Sequence, residues 1–461
     1  MKKYMIFLIM LLGIVILAAC GGQSNLQPLY EPNFETNLPQ EPQDNDEEQD
    51  EAPALAPTHG GHINIAMPMP QTLNPLLNSD PHLAQVLRLI FEPLVVFDQN
   101  NSPISNPAII ESIVFAPSGQ SLTVTLRENI FWEDGMPITS TDIQFSINIL
   151  RWNAPQTAVY RQNVENITST NISDARTLHI NLSAPNWQMM YSLDFPIIPS
   201  HYYTGVSTTN LTAPRNMHPI GNGPFRFHSY VAASHLGLMS NDNAPGGTPY
   251  IQFITATILR DIADADHAFS RGLIDVFVAS QSEAGRMRAL GKNPAAVLPP
   301  HNLDFIAFNR NNSIFDDFSL RYAIGNPTTE NFAVLEYIPQ ELTIIANEQN
   351  IQAVMYAQNL YSQLLNHGIE SILYILPPEI FSSQINSGNF DLAVATIYLQ
   401  NPENWDFLQI FGNTPLPLDD LPIIELGRRG NILFTSTRLH GDFSPTNTHI
   451  FHGVQNWFLI Y

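Results

Sequence analysis

The chain has 461 residues and a formal net charge of -23, which results from 42 acidic and 19 basic residues. A chain this acidic, with no lysine or arginine between Lys3 and Arg88, is a poor partner for nucleic acid. Its single cysteine, Cys20, excludes a disulfide framework, a cysteine-based zinc site and a catalytic thiol within the folded part.

The N-terminus has the parts of a secretory signal peptide. Two lysines precede an apolar run at residues 5–17, which is shorter than the roughly 20 residues that a membrane-spanning helix needs. Leu17-Ala18-Ala19-Cys20 then matches the lipobox of bacterial lipoproteins, in which the cysteine thiol accepts diacylglycerol. We predict a signal peptide at residues 1–19 and a lipid anchor at Cys20, on the extracytoplasmic face of the cell membrane. An uncleaved transmembrane anchor is the alternative.

Residues 20–58 have the composition of an extended tether. Nine acidic residues lie between Glu31 and Glu51, many prolines accompany them, and apolar residues are few. Such a segment cannot bury enough apolar surface to fold, and its like charges and prolines keep it extended. We expect it to hold the folded part away from the membrane.

Residues 122–150 predict a strand, a turn and a helix. The first residues alternate between apolar and polar side chains, as on a strand that buries one face of a sheet. Residues 133–137 supply turn chemistry through a glycine and a proline. The helix that follows can be capped by Thr139 or Ser140 and has Asp142 in its first turn. Its buried stripe is predicted at Ile143, Ile147 and Leu150.

The amino-acid sequence of this stretch resembles a family signature. Residues 126–146, Leu-Arg-Glu-Asn-Ile-Phe-Trp-Glu-Asp-Gly-Met-Pro-Ile-Thr-Ser-Thr-Asp-Ile-Gln-Phe-Ser, are similar to the signature of the family 5 extracellular solute-binding proteins. That family comprises lipoproteins that feed oligopeptide, dipeptide and nickel ABC importers. Further stretches that resemble the family lie at residues 61–95, 195–201, 218–227, 265–276 and 303–324. The resemblance implies an α/β, two-lobed periplasmic-binding-protein-like fold (type II, large peptide-binding subclass) with hinge crossings.

The same resemblance implies the domain organisation. Lobe I comprises residues 59–308, including an inserted subdomain, lobe II comprises residues 309–431, and residues 432–461 return to lobe I. Lobe II is expected to be short, because the continuation that the family has after Gly325 is absent and the pattern resumes only at Ile351.

Periodicity supplies the elements of the second half of lobe II. Residues 351–367 predict a helix, 369–376 a strand, 378–385 a second helix and 388–395 a second strand. This order of strand, helix and strand implies a parallel, right-handed crossover.

The resemblance also implies which residues face the ligand. In the family, the loop between the first two matching pieces faces the ligand, and its exposed backbone groups would form hydrogen bonds. By position, that loop consists here of Asn78, Ser79, Asp80, Pro81 and His82. Tyr160 stands where peptide-binding relatives place a pocket tyrosine, and Tyr398 and Trp405 are further candidates. The alternatives are an ordinary surface loop and, for the three aromatic residues, packing in the core.

One expected acid is not evident. Near residues 401–405, relatives carry an aspartate that captures a peptide amine, whereas here the nearest acids are Asp391, Glu403 and Asp406. A buried ammonium group without a carboxylate partner is strongly destabilised. We therefore expect little or no capture of a free amine, and binding through aromatic packing and backbone hydrogen bonds. The alternative is an acid supplied by another part of the chain.

Other chemistries have weak support. Gly221 and Gly223 belong to a turn that resembles the Gly-x-Gly-Pro-Phe turn of the family, and the remainder of a phosphate-binding pattern is missing. The histidines show no recognisable metal-ligand spacing, although distant histidines could converge in space. No nucleophile or carboxylate motif with a placed base stands out. We predict no catalytic site, no metal site and no cofactor.

These patterns together predict a monomeric, membrane-anchored receptor. It would capture a peptide or similar small solute and deliver it to the permease of an ABC importer. A lipoprotein signalling receptor or an adhesin built on the same fold, without coupling to transport, is the alternative.

Overall fold

The computed structural model of the protein describes residues 57–309, 311–398 and 423–461. The predicted signal peptide, Cys20, nearly all of the tether and Trp405 lie outside the described residues. None of the described helices has both the length and the apolar character that crossing a bilayer requires.

The α-helices begin where the sequence offers caps. Asp142 accepts a hydrogen bond from the backbone N–H of Thr139 at 2.8 Å, and Glu283 accepts one from that of Ser280 at 2.7 Å, so two helices begin with an acid that caps the first turn. In chain order the α-helices are α1 (Pro81–Leu87), α2 (Ser140–Asn148), α3 (Met189–Ser192), α4 (Ser200–Tyr203), α5 (Pro214–Met217), α6 (Ala265–Ser270), α7 (Gln281–Ala289), α8 (Phe318–Gly325), α9 (Thr329–Ala333), α10 (Ile351–Asn366) and α11 (Pro378–Ser387). A π-helical turn, Ile149–Asn153, continues α2.

The strands form several separate sheets. In chain order they are β1 (His62–Met67), β2 (Val95–Phe97), β3 (Pro103–Ser105), β4 (Ile110–Phe115), β5 (Ser121–Leu126), β6 (Ile167–Ile172), β7 (Thr177–Leu182), β8 (Phe225–Val231), β9 (His235–Ser240), β10 (Phe253–Ile258), β11 (Val276–Ala279), β12 (Pro294–Val297), β13 (Asn302–Phe308), β14 (Glu341–Asn347), β15 (Glu370–Leu376), β16 (Leu392–Tyr398), β17 (Ile423–Arg429), β18 (Ile432–Thr435), β19 (Leu439–His440) and β20 (Phe458–Leu459).

Lobe I contains two four-stranded sheets over one large core. The first has the order β1-β10-β9-β8 and the second the order β4-β5-β7-β6. The predicted strand, turn and helix are confirmed, since β5 buries Leu122, Val124 and Leu126 on one face and α2 buries Ile143 and Ile147 against the same core. The C-terminal segment closes this core with Trp457, which is fully buried.

Lobe II is built on a five-stranded sheet of order β15-β14-β16-β13-β17. Strands β15 and β16 both run parallel to β14, as the predicted crossover requires, whereas β13 runs antiparallel to β16 and β17. Helix α10 covers one face of the sheet with Ala353, Ala357, Leu360 and Leu364. Helix α11 lies on the other face, where Phe381 and Ile385 pack on a smaller apolar cluster.

The first crossing between the lobes lies earlier than the sequence indicated. We placed residues up to 308 in lobe I, but β13 forms ladders with β16 and β17 of the lobe II sheet, so the crossing lies at residues 298–301. The physical reason is burial on both faces of β13, because Leu303, Phe305 and Ala307 pack on one side and Ile306 and Phe308 on the other. Only a sheet that is covered on both faces accommodates such a strand.

The second crossing runs beside the first. Strand β18 returns to lobe I, where it pairs with β11 and β12. The backbone N–H of Leu298 donates to the carbonyl of Asn431 at 2.9 Å, and that of His301 donates to the carbonyl of Arg429 at 3.1 Å. A Cβ atom on Gly430 would lie 2.0 Å from the carbonyl oxygen of Leu298, so glycine permits the two crossings to approach this closely.

Candidate functional site

The loop before α1 is held by its own side chains. Asp80 accepts hydrogen bonds from the N–H groups of His82 at 2.8 Å and Leu83 at 3.1 Å, which caps α1, and Pro81 occupies the first helical turn. Asn78, which is 3% exposed, accepts from the N–H of Asp80 at 3.0 Å. Several of the backbone groups that we expected to be available to a ligand are therefore already paired within the loop.

The solvent-exposed part of this loop is centred on Ser79. Its side chain is exposed, and its Oγ lies 2.9 Å from Oγ1 of Thr157. The carbonyl of Asn78 accepts from the N–H of Val159 at 2.9 Å, so the loop and the segment after the π-helical turn form one surface. Pro81 and His82 are also exposed on that surface.

Tyr160 lies beneath this surface, in the large core. It is 6% exposed, and the guanidinium of Arg88 lies 5.7 Å from the centre of its ring. Arg88 forms a buried ion pair with Asp194 at 2.8 Å. Burial alone would lower the pKa of Arg88, but Asp194 and Tyr160 outweigh burial and raise it, so the arginine remains charged. Burial raises the pKa of Tyr160, which keeps its hydroxyl neutral.

Helix α1 connects the loop to the first crossing. Gln85 donates through Nε2 to the carbonyl of Asn447 at 3.3 Å and accepts through Oε1 from the N–H of Ile450 at 2.9 Å. Asn447 in turn donates through Nδ2 to the carbonyl of Pro299 at 3.0 Å. Pro299 belongs to the first of the two crossings, which together form the hinge. Hydrogen bonds therefore connect the loop, through α1 and the C-terminal segment, to this hinge.

Lobe II faces the hinge with one edge of its sheet. In the ladder, Asn302 at the start of β13 is the partner of both Tyr398 at the end of β16 and Arg429 at the end of β17. The three parallel strands β14, β15 and β16 all end at this edge, and ligands of open α/β sheets bind at the carboxyl ends of parallel strands. The backbone of Tyr398 lies at this edge, while Trp405 lies outside the described residues.

Two acids of lobe II are already paired: Asp304, which lies near this edge, and Asp391, which precedes β16 at the opposite edge of the sheet. Asp304, which is fully buried, accepts from the guanidinium of Arg429 at 2.7 Å and from the hydroxyl of Thr396. Asp391 accepts from the N–H of Thr343 at 2.9 Å and from Nδ2 of Asn312 at 3.1 Å. Neither carboxylate is available to a ligand amine. Glu403 and Asp406 lie outside the described residues.

The signature stretch forms a structural junction in lobe I. Asp142 accepts from the N–H and the hydroxyl of Ser200, at 2.8 and 2.7 Å, in addition to Thr139. His201 pairs with Asp134 at 2.8 Å, and the N–H of Glu133 donates to the carbonyl of Gly221 at 3.0 Å. Three stretches that resemble the family in sequence therefore meet in space. A Cβ on Gly221 would lie 2.0 Å from the carbonyl oxygen of Ile90, so this glycine serves close packing.

Sequence reasoning missed two residues that link the loop to the hinge and one exposed aromatic residue. Gln85 and Asn447 link the loop to the hinge, yet nothing in a single sequence relates positions this far apart. Trp152, which is 71% exposed with Arg151 stacked on its ring at 4.7 Å, lies in the π-helical turn. Such turns are frequent at functional sites, and the exposed aromatic side chain could have been noticed. No group of three metal-ligating side chains occurs in the described part of the chain.

Comparison with known proteins places these features in a wider context. The family model "Bacterial extracellular solute-binding proteins, family 5 Middle" matches residues 106–328. A putative ABC transporter peptide-binding protein of Brucella ovis is 26% identical over 236 residues, which are 50% of this chain and 44% of that protein. The chain thus spans about half the length of the curated relatives it matches.

Solved structures share the fold. HbpA2 from Haemophilus parasuis superposes with a TM-score of 0.69 at 16% sequence identity, over 87% of this chain and 100% of that chain. The periplasmic murein tripeptide-binding protein MppA, in its unliganded open form, superposes with a TM-score of 0.68 at 17% identity, over 88% of this chain and 98% of that one. These similarities show a two-lobed periplasmic-binding-protein-like fold.

Proposed function

We propose, from the match of residues 106–328 to the model of family 5 of the bacterial extracellular solute-binding proteins, that the protein is an extracytoplasmic receptor, which captures a peptide or similar small solute for an ABC importer. The observation that carries the proposal is the pair of adjacent crossings at residues 298–301 and 429–431, which separates the exposed loop before α1 from the sheet edge of lobe II. A ligand between these surfaces would be enclosed by rotation of one lobe about the crossings.

Peptides are the favoured class of ligand. The Brucella relative is named for peptide binding and MppA for a murein tripeptide. On this chain, the exposed groups around Ser79, Thr157 and Trp152 offer hydrogen bonds and an aromatic surface. We propose that Tyr398 and Trp405 contribute from lobe II, and that Tyr160 supports the surface from below.

Neither Asp304 nor Asp391, the two lobe II acids discussed above, is free to bind the amine of such a peptide. Because Asp304 and Asp391 are paired within lobe II, we propose that recognition of the ligand depends on its backbone and side chains. A peptide with a blocked N-terminus should therefore bind nearly as well as one with a free N-terminus.

The experiment begins with mass spectrometry of the solutes that copurify with the protein. The peptide found is then synthesised in free and N-acetylated forms and titrated calorimetrically at low and high salt. Equal affinities, with a smaller radius of gyration in the bound state by X-ray scattering, support the proposal. A loss of more than about tenfold on acetylation, which is about 1.4 kcal/mol, shows that an acid captures the amine. Absence of any bound solute, or of uptake through a neighbouring permease, favours the signalling or adhesin alternative.

We further propose that Cys20 carries the lipid anchor. Its support is the match of residues 17–20 to the lipobox. Cys20→Ser should release the protein from the detergent-extractable membrane fraction, and a variant that remains in that fraction would contradict the anchor.

A further inference from the structure

Lobe I contains a cavity that is separate from the surface facing lobe II. It has a volume of about 300 Å³, and it is lined by residues around Asn106, by the turn at residues 244–247 and by the C-terminal residues 449–455. Each of its lining residues precedes residue 248 or follows residue 448, so lobe II contributes none of them.

One wall of the cavity carries a carboxylate without a cationic partner. Glu92 accepts a hydrogen bond from Nδ2 of Asn106 at 2.8 Å, and it makes no ion pair with any side chain in the described ranges. The nearby Arg88 is committed to Asp194 at 2.8 Å. Burial raises the pKa of Glu92, and the hydrogen bond from Asn106 and the charge of Arg88 offset this rise only in part.

The opposite wall carries two neutral imidazoles. Nδ1 of His452 lies 3.2 Å from the carbonyl oxygen of Ser444 and 3.3 Å from its hydroxyl. In the tautomer whose Nδ1 donates to the carbonyl, the lone pair on Nε2 is an acceptor. His449 is 7% exposed, and its Nε2 is buried without a hydrogen-bond partner. Burial, followed by the positive charge of Arg88, lowers the pKa of His449. Burial also lowers the pKa of His452, although the hydrogen bond to the carbonyl of Ser444 opposes it, so both imidazoles are uncharged at neutral pH.

The chemistry of the walls therefore favours one kind of ligand. A carboxylate and the lone pair of an imidazole both accept hydrogen bonds, and a ligand that satisfies them must donate hydrogen bonds. Val96 and Pro224 add apolar surface to the lining, which suits a short hydrocarbon stem. A metal ion fits less well, because no three potential metal ligands lie together in the described part of the chain.

We propose that this lobe I cavity is a second binding site, which takes a small organic cation of the alkylammonium or alkylguanidinium class, with its charged head at Glu92 and its stem against Val96. The site does not depend on the ligand between the lobes, so it can be present whether or not the receptor function proposed above is correct.

The test is calorimetric titration of the full chain at pH 7.5 with propylammonium, methylguanidinium and uncharged propanol. We expect one of the cations to bind with a stoichiometry of one and propanol not to bind. Glu92→Gln keeps the shape and the hydrogen bond from Asn106, and should weaken binding at least tenfold. The matched control is Glu165→Gln, which removes the same charge from an exposed position and should leave the affinity unchanged.

The location is tested independently. Proton–nitrogen correlation spectra of the imidazoles should show shifts of His449 and His452 when the cation is added. Ala108→Leu, which places a larger side chain in the cavity lining, should abolish binding even if Glu92→Gln does not fold. Equal binding of propanol, equal binding to the Glu92 and Glu165 variants, or the absence of binding by both cations would overturn the proposal.

Discussion

The two lobes are stabilised in different ways. In lobe I, stretches that lie far apart in sequence are joined by hydrogen bonds to buried side chains, as where Asp142 binds Ser200. In lobe II, regular strand ladders and alternating apolar residues dominate, and the outer elements bury few of their side chains. Strand β15 leaves Ile372 and Tyr374 exposed by 40% and 48%, and α11 has no fully buried residue.

This difference explains where recognisable sequence motifs occur. A polar junction requires particular residues at particular positions, because each donor and acceptor must find its partner. A layered sheet requires only that apolar residues recur with the correct period. Lobe I therefore carries motifs that can be read from the sequence, whereas lobe II carries periodicity.

The largest expected effect is the loss of the lobe I junction. Asp142→Ala leaves buried donors of Thr139, Ser200 and Trp132 unpaired, and should lower the free energy of unfolding by about 3–5 kcal/mol. The lobe II counterpart, Asp391→Ala, removes two acceptor contacts and should cost about 1–3 kcal/mol. Urea unfolding followed by circular dichroism measures both variants. Equal losses would contradict the difference between the lobes.

The next effect concerns a buried ion pair of lobe II, at its hinge edge. Arg429→Met leaves the fully buried carboxylate of Asp304 without its positive partner and should cost about 3 kcal/mol. The reverse change, Asp304→Asn, should cost less, because the Arg429 side chain is 21% exposed and reaches water. Thermal unfolding of the two variants and of the double variant gives the coupling energy. A larger loss for Asp304→Asn would show that the arginine is the less solvated partner.

The sequence predicted lobe I more completely than lobe II for the same reason. The strand, turn and capped helix at residues 122–150 were predicted correctly, since motif and periodicity agree there. Strand β14 was missed because the resemblance to the family does not extend over residues 326–350. The apolar run Leu342, Ile344, Ile345 and Ala346 is nevertheless typical of a buried strand. The crossing was placed too late because the apolar run of β13 indicates burial on both faces but does not say which lobe supplies the covering layers.

The candidate site could be predicted only in part. The role of the loop at residues 78–82 in ligand binding stays a prediction, whereas the pairing of Asp80 with the start of α1 follows from an aspartate before Pro81. The link from Gln85 through Asn447 to Pro299 joins three distant segments. Such a link depends on the packed tertiary structure, which propensity and periodicity do not encode.

A smaller effect, of opposite sign, is expected within the lobe I junction. Burial raises the pKa of Glu133 to about 7, and the charge of Asp134 adds to this rise. The hydrogen bond from the N–H of Gly221 and the charge of Arg226 act in the opposite direction. The folded state therefore disfavours the ionised form, and stability is lost as the pH rises from about 4.5, the ordinary value, to about 7. Glu133→Gln should add about 1–2 kcal/mol at pH 8 and nothing at pH 4.

The control for this pH dependence is Glu165→Gln, since Glu165 is exposed and forms no ion pair in the described part of the chain. Urea unfolding of wild type and both variants at pH 4, 6 and 8 isolates the contribution of Glu133, because titration of the other groups is common to all three proteins. A difference between wild type and Glu133→Gln that does not grow with pH would contradict the assignment.

The smallest effect on stability compares two helix caps, one in each lobe. Asp80 caps α1 and Asp317 caps α8 through the N–H of Ser319 at 2.8 Å. Replacing either with alanine should cost about 1 kcal/mol, because one side-chain acceptor at the helix start is lost.

The two variants should differ in ligand binding. Asp80 also fixes the loop that presents Ser79, so Asp80→Ala should weaken binding of the copurifying solute about fivefold, or about 1 kcal/mol. Asp317→Ala should leave binding unchanged. If calorimetry finds the same affinity for both, the loop before α1 does not contact the ligand, and the surface around Trp152 becomes the better candidate in lobe I.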